Sequence, residues 1–587
     1  MSQAGSAEPP SVPHQLQRIR RFKDWVHDYV CFSPWICSFI DTKHFQRLRY
    51  IKQLGVSYYV FPGAAHNRFE HCLGVGHLAR LMATHLRDNQ PQLRITDQDI
   101  RCVELAGLCH DLGHGPWSHL WDGAFIPKAL PGKEWKHEQA SEMMFDDMVD
   151  AYMLDITPEE MTIVKALIAG DKTRCPLGTE KPFLFEIVAN NRNGLDVDKF
   201  DYIARDCHAV GDRGNLSISR LISSARVIDN KICYDIKDAN QIYELCYTRF
   251  SLHKRVYHHK TTRAIEYMVM DALLAAEPYL KVANHVSKPD RYVYLTDYLL
   301  NKIEESTEKE LEAARTIIER IHTRDLYRVV DYKVFPHNDK DMVKQNVTPD
   351  RIVQVAKSGC LEGVDEELVA QLTVDHIVVD LSVLHYGRGP NNPLDDVTFY
   401  SKQQPDVGRR ADYSDISLLM PESFAEIWLR IYTKESKFFG LVQAAYRQIL
   451  KMLQPSDAAN EHPHDEAGQE LSVPDDPDTM IKIWTPGTGT ESPGSPGSFS
   501  RNASIGSLSE LRVDQPARPS TPGSGRGRTF GRTPSFSDNA FTTVPPNFRD
   551  PSPSRKPRSK RVRDVSDTMD GARPKKSLRL TSGSSVP

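Results

Sequence analysis

Between His71 and Leu86 apolar side chains recur at Leu73, Leu78, Leu81 and Met82, a spacing near the helical period that predicts an amphipathic helix. A second helix is predicted shortly after it. Thr96 followed by Asp99 has the form of an N-cap with an acid in the first turn, and Ile100, Val103 and Ala106 follow at helical intervals. This helix should run into His110 and stop at Gly113 and Gly115. Later the pattern becomes mixed: Asp375-His-Ile-Val-Val-Asp-Leu381 is a β-branched, strand-like run, and Asp396-Val-Thr-Phe-Tyr400 is another. The expectation is a mainly α protein, with a helical core over residues 16–325 and a smaller α+β lobe of the same unit over 326–455. No Gly/Ser/Pro linker interrupts it.

Composition changes this picture only at the ends. Residues 1–15 are small, polar and Pro-containing, and disorder is expected there. After Pro455 the chain turns to Ser, Pro, Gly and Thr with few aromatics, too little apolar surface to offset the entropy of ordering. Residues 456–500 hold nine acids and one Lys, whereas 501–587 hold 17 basic residues and seven acids. The net charge of -4 therefore hides a segregated tail. Its clusters Arg555-Lys-Pro-Arg-Ser-Lys-Arg-Val-Arg563 and Arg573-Pro-Lys-Lys576 have the form of a nuclear-localisation or nucleic-acid patch. Nuclear residence, with a cytoplasmic pool, is expected, and Thr485, Ser492, Thr521 and Thr533 precede prolines as candidate phosphosites. Ten cysteines without a CxxC pair suit a reducing compartment and no disulfide framework. No signal peptide and no membrane span is read.

The chemistry concentrates in four segments: His66-Asn-Arg-Phe-Glu-His71, His110-Asp-Leu-Gly-His-Gly-Pro-Trp-Ser-His119, His137-Glu138 and Asp196-Val-Asp-Lys199. One histidine alone is most simply a packed or surface residue. The set is different, because several ionisable groups brought together without a partner cost several kcal/mol each, and a shared cation offsets that. The adjacent His-Asp pair at a helix end is the signature of the HD superfamily, whose phosphohydrolases hold a divalent ion with imidazole and carboxylate ligands and keep positions open for water and phosphate. Iron, manganese, magnesium, zinc and nickel all remain candidates.

The runs Phe45-Gln-Arg-Leu-Arg-Tyr-Ile-Lys-Gln-Leu54, Tyr58-Tyr-Val-Phe-Pro-Gly-Ala64, Leu73-Gly-Val-Gly-His-Leu-Ala79 and Gly194 to His208, with the HD segments above and Ser251-Leu-His253, resemble the animal SAM- and HD-domain deoxynucleotide triphosphohydrolases over residues 20–450. About 20 residues precede the match, so no SAM-like segment is expected. The resemblance implies an HD-superfamily helical core and hydrolysis of a dNTP to deoxynucleoside and inorganic triphosphate. It implies His71, His110, Asp111 and Asp198 as metal ligands, His114 as proton donor to the leaving oxygen with His137 and Asp122 behind it, and Arg68 and Lys199 on phosphate. Gln53, Leu54, His119, Tyr202, Asp206, Arg249, His253, Tyr257 and His258 would complete the substrate pocket, with Tyr202 and Asp206 on the sugar. Lys199, Tyr202 and Asp206 fall on neighbouring turns of one helix, and Arg249, His253 and Tyr257 form another helical stripe.

The same resemblance implies activation by GTP or dGTP and a dNTP, carried with Mg between subunits of a homotetramer. Asp41, Gln46 and Arg49 match the guanine-reading triad, and Arg324, Leu326 and Arg328 lie around that first site. Val60, Arg220, Lys237, Arg255, His259, Lys260 and Lys402 match parts of a second. The family also implies a role in antiviral defence and contact with single-stranded nucleic acid. Several positions depart from the family pattern: Arg21, Lys23, Asp235, Gln241 and His258, where an apolar residue, Asn, a basic residue, Asn and Gln are usual. Two alternatives stay open at this stage, a nucleic-acid scaffold with a vestigial pocket and an HD phosphodiesterase.

Overall fold

Asn67 starts the central helix. Its side chain accepts from Glu70 N, and the Glu70 carboxylate accepts from Asn67 N at 3.0 Å, a capping box that fixes α1 at Arg68–Asn89. The same reciprocal pair, Thr96 with Asp99, opens α2, Asp97–Cys109. The two helices pack side by side, burying Val75, Leu78, Ala79 and Met82 among Val103, Ala106 and Leu108. Leu81, expected on the buried face, is instead partly in solvent.

The computed structural model describes residues 19–453, apart from Arg213, Asn215 and Glu362. The expected disordered start at 1–15, the tail at 456–587, its basic clusters and its phosphosites lie outside the described residues. A hairpin, β1 (Arg20–Asp24) and β2 (Asp28–Phe32), precedes the helical core and pairs Phe22 with Val30. α3 (His137–Tyr152) and α4 (Val197–Ala209) follow, and Asp196 caps α4 by accepting from Lys199 N. β3 (Arg226–Ile228) and β4 (Lys231–Asp235) lead to α5 (Ala239–Leu252), a single π turn at His253–Tyr257, and α6 (Lys260–Leu280). That π turn interrupts the helical stripe expected through Arg249, His253 and Tyr257.

Beyond residue 325 strands and helices mix, as expected of an α+β lobe. β5 (Arg328–Pro336), β6 (Ile377–His385) and β9 (Ala425–Thr433) form an antiparallel sheet with β9 in the middle. α7 (Pro349–Ala356) and α8 (Phe439–Leu453) cover one face of it, and Val330, Phe335, Ile352, Val355, Ile427, Leu429, Leu441 and Tyr446 make a second apolar cluster. The strand expected at 375–381 begins two residues later, after a 3₁₀ turn at Val374–His376. The one expected at 396–400 shrinks to β7, Phe399–Ser401, because turns at Asn392–Asp395 and Leu394–Val397 take up the preceding backbone. β7 joins β4 in parallel and pairs with β8, Gln404–Arg409. All ten cysteines are unpaired, and among the described residues no helix is long and apolar enough to cross a membrane.

Candidate metal centre and nucleotide pocket

Three helix ends converge. α1 contributes His71 from its first turn, α2 delivers His110 at its C-cap and Asp111 just beyond, and α4 contributes Asp198 from its first turn. His71 Nε2 lies 3.1 Å from Asp198 Oδ1 and 3.5 Å from Asp111 Oδ2; His110 Nε2 lies 3.4 Å from Asp198 Oδ1 and 3.4 Å from Asp111 Oδ1. One donor atom from each of His71, His110 and Asp198 falls within 4.8 Å of the others, and Asp111 turns one oxygen to each histidine.

The far side of each imidazole fixes its tautomer. His71 Nδ1 donates to Asp201 Oδ2 at 2.7 Å, and His110 Nδ1 donates to the Gly107 carbonyl at 2.8 Å. Both Nε2 atoms are buried without an aligned hydrogen-bond partner and face the shared space, where each would offer a lone pair once a metal ion displaced its proton. Burial works against an imidazolium at His71, yet Asp198 and Asp201 outweigh it and lift the pKa to about 10. Two imidazole nitrogens among carboxylates form a site that demands positive charge, met by protons when no metal is bound and suited to a divalent ion.

Arg68 stands against this group. Its guanidinium is buried, contacts Asp111 Oδ2 and donates to Ser118 Oγ at 2.8 Å. Beyond Asp111 lies a second cluster. His114 Nε2 is 3.3 Å from Asp111 Oδ1, and its ring stacks on His137 with centroids 3.9 Å apart. His137 Nδ1 donates to Asp122 Oδ2 at 2.7 Å, and His119 Nδ1 lies 3.7 Å from Asp122 Oδ1. These four residues also bring donor atoms within 4.8 Å of one another. Burial, with Arg68 and His137 beside it, holds the His114 imidazolium well below the ordinary range. At His137 burial is outweighed by Asp122, and the pKa rises. The proton-donor role expected of His114 thus meets a physical obstacle, since it is 1% exposed and disfavoured as a cation, whereas His119 is three-quarters exposed.

The residues expected on the sugar gather around Asp206. His66 Nε2 donates to its Oδ1 at 2.7 Å and the Tyr257 hydroxyl to its Oδ2 at 2.5 Å. Tyr202 shares α4 with Asp206 and has its phenol pKa raised by burial. Gln53 is buried, with Oε1 unpartnered, and Leu54 is half-buried beside it. Lys199 is held on Asp196, 3.0 Å from Oδ2. Arg249 donates to the His385 carbonyl at 3.0 Å and keeps Nε unpaired. His253 stacks on His258, and burial with Arg263 nearby pushes the His258 pKa down to about 4.

The residues matched to regulatory sites are spread over the surface of the chain. Arg20 grips Asp41 with two 2.6 Å bonds, Gln46 accepts from Arg49 Nε at 2.8 Å, and Arg49 lies over the Phe69 ring at 3.5 Å. Arg49 also lines a cavity of about 500 Å³ with Phe22, Lys23, Trp25 and Phe69. Arg324, held at a φ of 62°, donates to the Tyr59 carbonyl at 3.5 Å, beside half-buried Val60; Leu326 packs on the main core and Arg328 is exposed at the start of β5. Arg220 pairs with Asp238, Arg255 with Asp212, and Asp235 accepts from Lys237 N. His259 caps α6, Lys260 O accepts from Tyr432, and Lys402 sits in the exposed turn between β7 and β8. Among the described residues no hydrogen bond or ion pair joins the Asp41 group to Arg324, Leu326 or Arg328.

Sequence reasoning gave no role to the residues behind the ligands, though His66 opens one of its four segments. Asp201, Arg205, Asp24 and His27 support His71, and His66 supports Asp206. Asp201 had a local signal, three residues after Asp198 on one helix. His27 had none, being 174 residues from its partner.

Comparison with known proteins agrees with this geometry. An HD-domain model matches residues 68–173, and an HD associated region matches 216–369. Fold and site together define an HD-domain protein with a His/Asp centre able to hold a divalent metal. The deoxynucleoside triphosphate triphosphohydrolase SAMHD1 of Danio rerio is 40% identical over 467 residues, covering 72% of this chain and 74% of its own. The Homo sapiens protein of that name is 40% identical over 455 residues, 72% of each chain, and the Dictyostelium discoideum homolog 37% over 429, 73% and 80%. The chain belongs to the SAMHD1 family of deoxynucleoside triphosphate triphosphohydrolases.

Proposed function

We propose that this protein hydrolyses dNTPs at the bond between the α-phosphorus and the 5'-oxygen, releasing deoxynucleoside and inorganic triphosphate. The observation that carries the reading is the convergence of His71, His110, Asp111 and Asp198 beside buried Arg68, with the His66–Asp206–Tyr257 group closing the sugar side. The names of the relatives point the same way. A divalent ion held by those four residues would polarise the α-phosphate and lower the pKa of water. Two imidazoles in the set favour iron, manganese, zinc or nickel over magnesium, which accompanies the nucleotide instead.

Arg68 supplies fixed positive charge to the phosphates, and its bond to Ser118 keeps it aimed without reorganisation. The proton for the departing 5'-oxygen comes from the histidines on Asp122, either exposed His119 or His137, while neutral His114 orients Asp111. Asp206 uses one lone pair on His66 and one on Tyr257, which leaves acceptor capacity for a 3'-hydroxyl. The likeness to the family gives Tyr202, one turn before Asp206 on α4, the role of excluding a 2'-hydroxyl.

Regulation by GTP or dGTP and a dNTP through a homotetramer is part of this proposal. It is supported by matched residues that stand on separate elements, an arrangement that a second copy could close. Nuclear residence, nucleic-acid contact and tail phosphorylation are proposed from the tail sequence, and antiviral defence from the family. The test is dGTP turnover by metal-replete protein, following triphosphate and deoxyguanosine, beside His110→Ala/Asp111→Ala and with GTP as non-substrate control. Release by wild type alone supports the reading; equal release by both proteins refutes the site, and none under any metal or nucleotide condition favours the scaffold.

A further inference from the structure

The N-terminal hairpin reaches the metal centre through buried hydrogen bonds. The last link is His71 Nδ1, bonded to Asp201 Oδ2. Asp201 is fully buried on α4 and is held from two further directions. Arg205, one turn along the helix, donates Nε to Oδ2 at 2.9 Å and an amino nitrogen to Oδ1 at 2.8 Å. His27, in the turn between β1 and β2, donates Nε2 to Oδ1 at 2.6 Å. Arg205 then reaches Asp24 Oδ2 at 2.9 Å, and Asp24 Oδ1 accepts from Val26 N and His27 N at 2.8 Å each. Asp24 thereby both anchors Arg205 and shapes the turn that presents His27. Gly74 leaves room for the junction, since a Cβ there would lie 1.9 Å from Asp201 Oδ1.

Arg205 by itself covers both Asp201 oxygens, so a buried ion pair needs no third donor. The bond from His27, made across 174 residues and supported by a dedicated turn, has a different use. It adds, from a second segment of the chain, a restraint on the orientation of the Asp201 carboxylate, and that orientation sets the ring plane of His71 and keeps its Nε2 on the ligand side. We propose that His27 and Asp24 are positioning residues for the metal ligand His71, so that seating of the hairpin sets how tightly the centre holds its ion. The inference rests on the metal-centre reading above.

The experiment uses full-length protein and Mn²⁺ as probe, with dissociation constants from chelator competition and melting temperatures measured alongside. His27→Leu fills the volume without a donor, His27→Gln restores an N–H, Asp24→Asn attacks the turn, and His71→Ala is the reference. Loss of a supporting hydrogen bond of this kind loosens metal by about 10- to 100-fold. That loss is expected for both His27→Leu and Asp24→Asn measured well below their own melting temperatures, that of Asp24→Asn being lowered by the weakened Arg205 ion pair, with His27→Gln recovering most of it. Their activity deficit should disappear as Mn²⁺ is raised, with KM for dGTP unchanged. Folded His27→Leu and Asp24→Asn proteins that bind Mn²⁺ like the parent overturn the proposal, as does a deficit that persists at saturating Mn²⁺. If His71→Ala also keeps Mn²⁺, the metal-centre reading itself is what fails.

Discussion

Gly113 offers the sharpest perturbation of the site that leaves every proposed ligand untouched. It lies between Asp111 and His114 and packs directly on the first turn of α3. An alanine Cβ there would fall 2.1 Å from the His137 carbonyl oxygen, 2.2 Å from Ser141 N and 2.5 Å from the Ala140 carbonyl carbon. All three are backbone atoms, so no rotamer change relieves the contact. Restoring even 3.0 Å to that oxygen requires a shift of about 0.9 Å between the loop and α3. The bonds from Gly113 N to Ser141 Oγ and from Ser141 Oγ to the His110 carbonyl, 2.9 and 2.6 Å, lie in the same junction and are strained with it. Overpacking of this kind costs about 1–3 kcal/mol of stability. The larger effect should be on catalysis, because His137 is carried away from Asp122 and His114, and a displacement near 1 Å costs about 10²-fold in rate, or about 2.7 kcal/mol in the barrier. The assay is steady-state triphosphate release from dGTP by Gly113→Ala, with melting temperature and bound metal measured on the same preparation. Gly123→Ala is the control, since a Cβ at that nearby position meets nothing within 4 Å. The expected result is a large fall in kcat with metal content retained, since α3 supplies no proposed ligand. A kcat within threefold of wild type at unchanged melting temperature would refute the reasoning.

Three other outcomes follow from the same structure. In Asp122→Asn, burial at His137 is opposed only by Asp111 and Glu138, so its raised pKa falls and the alkaline limb of the kcat–pH profile moves to lower pH; an unmoved limb would exclude the pair from proton transfer. Glu104 is buried beside Arg80 and its pKa is raised from 4.5 to about 7, so the folded state binds that proton more tightly and stability falls as pH rises between those values. Glu104→Gln should therefore be more stable than wild type at pH 8, by on the order of 3 kcal/mol, and nearly neutral at pH 4.5, and equal melting shifts at both pH values would count against it. Tyr257→Phe removes the hydroxyl that holds Asp206 Oδ2 and should lower kcat/KM for dGTP by about 10- to 100-fold, with metal binding intact; wild-type kcat/KM would separate Asp206 from sugar recognition.

Much of the helical frame could be read locally. The Thr96–Asp99 cap and, Leu81 apart, the buried face of α1 stand where the residue pattern put them, and α2 runs to a C-cap at His110, just short of the stop expected at Gly113 and Gly115, because caps and helical faces depend on neighbours a few residues away. The strands were less legible. β5 and β9 went unread and β7 was overestimated, since strand formation depends on partners far along the chain, such as Ile427 opposite Phe335 and Val383. The π turn at His253–Tyr257 was invisible for a related reason: it alters the register by one residue without any change in composition.

At the site, the sequence by itself determined the donor types, their spacing and the helix ends that carry them. Only tertiary structure decided which atoms meet. It put Asp111 between two histidines, buried His114 against Arg68 so that a proton is disfavoured there, and gave His137 the carboxylate that favours one. It also tied His27 to Asp201, a pairing without sequence proximity to announce it. The physical reason is that hydrogen-bond partnership and charge state are set by through-space distance and by how much water burial removes, and both exist only once distant segments have packed.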